Sequence, residues 1–199
     1  MKKLINLSLC ITLILFSVNS FAYSPNPKIF ITELVTDVIK VLSNKDISKV
    51  DKRNKIEDIA LENVDVNALG LYTLGEIRKT LDQDTLKKYQ KLFQKYFLKS
   101  LTSRLIDYSE NKFEVVSANQ KSEIYTIVNS KIAESSSQPE IKIDWRVYTK
   151  DPAKPLIRDL IVEGLSLAKT QKEEFSSIMN SNNNDIEVLF SKLEEFIKN

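Results

Sequence analysis

Asp144, Asp159 and Glu163 are the residues of this chain best placed for acid–base chemistry. They lie on or near stretches that read as strands, where two carboxylates could approach and divide general acid and general base work. With 27 acidic residues in the chain, however, such proximity is expected by chance. The other common catalytic parts are missing. There is no histidine, which removes the usual general base, the usual zinc ligand and every Ser–His or Cys–His pair. The only glycines, Gly70, Gly75 and Gly164, cannot build a phosphate-cradling loop. Asp65, Asn67, Gly70 and Glu76 match the spacing of a calcium loop, but Leu69 stands where a third oxygen ligand belongs. The residues predict no metal, no cofactor and no enzyme; a carboxylate hydrolase is the alternative they leave.

The N-terminus reads as an address. Lys2 and Lys3 precede an apolar stretch over 4–18, and Ser20-Phe21-Ala22 supplies small residues at the positions a signal peptidase reads. The pattern predicts a signal peptide over 1–22, cleaved before Tyr23, and a single domain over 23–199. The apolar stretch is short for a membrane span. Cys10, the only cysteine, follows Leu7-Ser8-Leu9 as in a lipoprotein box, but an apolar core ending there is too short for export. Removal of the leader leaves no thiol and therefore no disulfide, which fits a periplasmic protein stabilised by packing. Without Lys2 and Lys3 the 29 basic residues fall to 27, equal to the acidic count. A neutral chain without a basic patch predicts no nucleic-acid partner.

The hydrophobic period then changes along the chain. Apolar residues at 29, 30, 34, 35, 38, 39, 41 and 42 recur every 3.6 residues and predict an amphipathic helix. A second helix is expected over 51–63, and a short one after Asp65 as N-cap. Gly70 and Gly75 bracket an apolar turn. The longest helix begins at 82–84 and lines one face from Leu86 to Tyr108; its other face carries Lys87, Lys88, Lys91, Lys95 and Lys99. The period becomes 2 over 112–118, 123–132, 140–149 and 156–162, which predicts strands joined at 119–122, 135–138 and 150–155. Ile141, Ile143, Trp145 and Val147 give one dry face, with Lys142, Asp144, Arg146 and Tyr148 on the wet one. Helices over 166–180 and 185–198 close the chain. The layout is α+β: N-terminal helices, an antiparallel sheet of four or more strands, and two C-terminal helices.

Two stretches carry a resemblance. Asp159, Leu160, Val162, Glu163, Gly164, Leu165, Ser166 and Leu167 follow the strand Ile141-Lys-Ile-Asp-Trp-Arg-Val-Tyr148. Upstream stand Val64-Asp65, Thr73-Leu74-Gly75, Arg78 and Tyr108. Together they resemble the MlaC family of periplasmic phospholipid-binding proteins, auxiliary components of toluene-tolerance type ABC transporters. The chain departs from the family pattern at Leu156, where tryptophan is usual, and at Thr170-Gln171, where Tyr-Arg is usual. The signature also has a structural reading: Gly164 ends a strand and Ser166 caps the next helix.

The resemblance implies a periplasmic phospholipid carrier that shuttles lipid between the outer membrane and an inner-membrane ABC transporter. It implies docking to an outer-membrane lipoprotein complex and to the transporter's ring-forming lipid-binding subunit. An apolar cavity between helices and sheet would hold the acyl chains, lined by Leu69, Leu74, Phe97, Val115, Ile143, Trp145, Val147 and Ile161. Trp145 on such a face is more often plain core than a ligand contact, and the same holds for every Leu, Ile and Val named. The alternative is an interaction or chaperone-like module without bound lipid.

Overall fold

A computed structural model describes residues 23–105, 112–134 and 139–199. The leader with Cys10, the Tyr108 end of the long helix and the join at 135–138 lie outside the described residues. Helix α1 (Pro27–Ser43) starts where the Asn26 side chain accepts from the N–H groups of Lys28 and Ile29, and Pro27 pre-sets the first turn. Ser48 caps α2 (Lys49–Asn63) and Asp65 caps α3 (Val66–Thr73). Gly70 does not break the chain as expected; it lies inside α3. The reason is a close approach, since a Cβ there would stand 2.9 Å from the Phe93 ring. Gly75, at φ 63°, does mark the change to a 3-10 turn (Gly75–Lys79), and α4 (Gln83–Leu105) follows.

Five strands then pair antiparallel in chain order: β1 (Phe113–Ser122), β2 (Tyr125–Ile132), β3 (Ile141–Tyr148), β4 (Leu156–Val162) and β5 (Leu165–Ser166). The join expected at 119–122 is strand instead. Asn119 Nδ2 donates across to Asn129 Oδ1 at 2.7 Å, so polar residues extend the ladder and the chain turns only after Ser122. Glu163 and Gly164, at φ 50° and 81°, make the two-residue turn into β5. Helices α5 (Leu167–Asn180) and α6 (Ile186–Lys198) complete the α+β fold.

Asp159 fixes the strand-to-helix corner. It is 3% exposed and accepts from Ser166 Oγ at 2.6 Å and from the Ala168 N–H at 3.0 Å, while Arg146 lies 3.6 Å away. Hydrogen bonds to a charged acceptor contribute about 1.5–3 kcal/mol each. Asp159→Asn keeps the shape but weakens both bonds, so it should lower unfolding free energy by about 2 kcal/mol, read from urea melts.

The apolar interior falls into two clusters. One is helical: Val66, Leu69, Leu74, Tyr89, Phe93, Phe175, Met179, Leu189, Phe190 and Leu193, from α3, α4, α5 and α6. The other joins α1 to the sheet: Phe30, Ile31 and Leu34 against Val128, Trp145, Val147 and Ile157. Val64, between α2 and α3, packs against both.

Candidate functional site

The seam between these clusters is where residues of the two layers could jointly hold a ligand. Its sheet side is dry by construction. Val128 pairs with Trp145, and Trp145 with Leu160, so their side chains share one face. Three polar side chains share that face, Thr126, Ser130 and Trp145; Trp145 Nε1 donates to Ser130 Oγ at 2.8 Å, and Ser130 Oγ donates to the Ile143 carbonyl at 2.8 Å. No buried side-chain polar atom of the described residues is left without a hydrogen-bond partner.

Burial separates the eight expected lining residues. Leu74 and Val147, at 1% and 0% exposed, are filled core positions. Leu69 and Trp145, each 9% exposed, are buried members of the helical and sheet clusters. Phe97 is half-buried beside the helical cluster, and Val115 and Ile143 are half-buried beside the sheet cluster. These three retain apolar surface that a ligand could still cover.

Ile161 is elsewhere. It lies on the opposite face of the sheet with Asn129, Asp144 and Arg146. The cause is a bulge. Arg146 pairs with Asp159 but Val147 with Ile157, so Arg158 is an extra residue and the alternation of β4 shifts. Leu160 takes the inner position, joined by Phe113, whose ring stands edge-on to Trp145 at 6.2 Å. Reading β4 as an unbroken alternation misses Leu160; the adjacent charges Arg158 and Asp159 were the available hint of an interruption.

The bulge residue has its own task. Arg158 pairs with Asp65 at 2.7 Å, donates to the Tyr125 hydroxyl at 3.1 Å and lies 3.4 Å over the Tyr148 ring. Asp65 also accepts from the Ala68 N–H, and its own N–H donates to the Ile157 carbonyl. Helical layer and sheet are therefore tied along β4, at Asp65 and again at Asp159.

The other candidates for chemistry are structurally engaged. Asp144 accepts from Asn129 Nδ2 at 2.7 Å, and Glu163 accepts from the Lys142 N–H. Asp65 is a cap and an Arg158 partner, and Glu76 pairs with Lys79. Among the described residues no group of three or more His, Cys, Asp or Glu could hold a metal ion. Burial holds the Tyr89 hydroxyl, bonded to Thr73 Oγ1 at 2.7 Å, well above the usual phenol range. Two surface hollows of about 480 and 470 Å³ are lined by Lys172, Glu173 and Ser176 on α5, and by Asn119, Ile127 and Arg146 on the outer sheet face. Neither opens into the seam.

Comparison with known proteins fits this architecture. The chain matches the fold of the phospholipid-binding protein from Ralstonia solanacearum, solved in complex with a phospholipid. The TM-score is 0.71 at 17% identity, over 84% of this chain and 94% of that one. No protein of curated function matches the sequence. The family model of the MlaC protein matches residues 32–195, most of the chain. With the helices, meander and Asp159–Ser166 corner in place, the chain belongs to the MlaC family.

Proposed function

We propose that this protein is a periplasmic phospholipid carrier, exported by a leader over 1–22 and working as a single domain over 23–199. It holds acyl chains between its helical layer and the dry face of its sheet. The observation that carries this reading is the division of the apolar interior into two clusters with half-buried residues beside both. The family and the phospholipid-bound structural relative supply the ligand class. No helix of the described residues is long and apolar enough to cross a membrane.

The energetics explain why a carrier is needed. A phospholipid has about thirty chain methylenes, and exposing each to water costs about 0.8 kcal/mol, so free diffusion through water costs on the order of 20 kcal/mol. A seam that parts on loading and closes on release replaces water with Phe97, Val115, Ile143, Leu160 and Trp145. The ties at Asp65 and Asp159 lie together on β4, so parting the layers away from β4 leaves both bonds intact. The headgroup stays at the surface. The carrier exchanges lipid with an outer-membrane lipoprotein complex and with an inner-membrane ABC transporter through its ring-forming subunit.

Mass spectrometry of an organic extract of the purified protein should find phospholipid at close to one molecule per chain. An extract without phospholipid, from a folded protein that also takes none from donor vesicles, overturns the carrier reading.

A further inference from the structure

The first described residues are tied into the domain by three separate contacts. Tyr23 packs edge-on against Phe30 with ring centroids 5.9 Å apart, and Phe30 is fully buried in the sheet cluster. The Tyr23 hydroxyl donates to Asp37 Oδ2 at 3.0 Å, and the Ser24 N–H donates to Glu33 Oε2 at 2.8 Å. Three backbone bonds separate the nitrogens of Tyr23 and Ser24, so the Tyr23 nitrogen lies within about 7 Å of the Glu33 carboxylate.

The surrounding charge is one-sided. Glu33 and Asp37 on α1 and Glu62 on α2 are the charged groups that act on the Tyr23 hydroxyl. None of the three is ion-paired among the described residues. Burial, then the bond to Asp37 and these charges, holds the Tyr23 hydroxyl above the usual phenol range, so it stays neutral and adds no further negative charge.

We infer that Tyr23 is the amino terminus of the working protein and that its α-ammonium forms an ion pair with Glu33 which the uncleaved chain cannot make. The inference rests on the export reading. Hydrolysis of the Ala22–Tyr23 bond by a signal peptidase consumes one water, leaves a carboxyl on Ala22 and an amine on Tyr23, and the amine is protonated at neutral pH. The new cation arrives beside the Glu33 carboxylate that accepts from the Ser24 N–H. A start at Ser24 loses the Tyr23 ring from Phe30; a start before Tyr23 moves the charge away from Glu33.

The sign of the pH effect follows. A carboxylate neighbour raises the amine's folded pKa above its unfolded value. The stabilisation is complete below the unfolded pKa and is lost as pH rises through the folded one.

Protein recovered from the periplasm by full-length expression provides the test. Intact mass and N-terminal sequencing should give Tyr23 as the first residue. NMR titration should place its α-amine above the ordinary α-amino range, and Glu33→Gln should return it toward that range. Carbamylation of the α-amine should lower the thermal midpoint of the wild type and leave that of E33Q unchanged. A different first residue overturns the assigned terminus. An amine in the ordinary range that E33Q does not move overturns the ion pair. Neither result bears on lipid in the extract, so the carrier reading is judged separately.

Discussion

Ile143→Glu should abolish phospholipid retention while leaving a folded protein. Ile143 is half-buried beside the sheet cluster, so part of its surface faces outward. A carboxylate there can stay hydrated when the seam is closed. A loaded seam would press acyl chain against it, and burying an unpaired charge in hydrocarbon costs several kcal/mol. Even about 3 kcal/mol lowers affinity roughly 100-fold. Val147→Glu is the contrast. Val147 is 0% exposed, so the same charge has no hydrated position and should prevent folding outright. Lipid-to-protein ratio and circular dichroism on both variants check the pair. An I143E protein that folds and keeps a full complement of lipid places the ligand elsewhere.

Phe93→Ala should be the most damaging change in the helical layer. Its ring lies 5.8 Å from Tyr89, 6.3 Å from Phe97 and 6.5 Å from Phe175, and the residue is 4% exposed. Deleting a ring from such a position costs about 3–5 kcal/mol in lost transfer energy and residual cavity. For a domain of this size that corresponds to a fall of about 10 °C in Tm. Gly70 adds a sharper check. A methyl at Gly70 meets the Phe93 ring in the wild type, so Gly70→Ala alone should destabilise. In the Phe93→Ala background the obstacle is gone and a helical Ala is favoured over Gly by about 1 kcal/mol, so the second change should stabilise. Additive losses in the double-mutant cycle would refute this packing account.

Much of the fold was legible because it rests on periodicity. The α1 pattern and the Ile141-to-Val147 alternation mark their buried faces directly, and the caps at Asp65 and Ser166 are where the residue types place them. What escaped were features decided by contacts between elements. Gly70 looks like a helix breaker in isolation; only the Phe93 ring, on another helix, explains it. An unbroken period of 2 along β4 places Ile161 on the dry face, and the extra residue Arg158 moves it across the sheet. Arg158 is drawn to the outer face by Asp65, Tyr125 and Tyr148, all on other elements of the fold. The lining of the seam was half legible for the same reason. Apolar type reads from the sequence, whereas the difference between a filled position such as Leu74 and an open one such as Phe97 arises only when layers meet.

The strand order has a consequence for how the molecule is made. Because β1 to β5 follow one another in space as they do in the chain, each strand finds its partner across a short connection. Such local pairing assembles quickly, whereas contacts between distant parts of a chain form slowly. The cover for the sheet's dry side is α1, which emerges from synthesis three helices ahead of the first strand. Phe30 and Ile31 must therefore wait, greasy and unshielded, until the far half of the polypeptide exists. The docking of that early helix onto the late sheet should therefore be the slow event in folding and the interval of greatest exposure to aggregation.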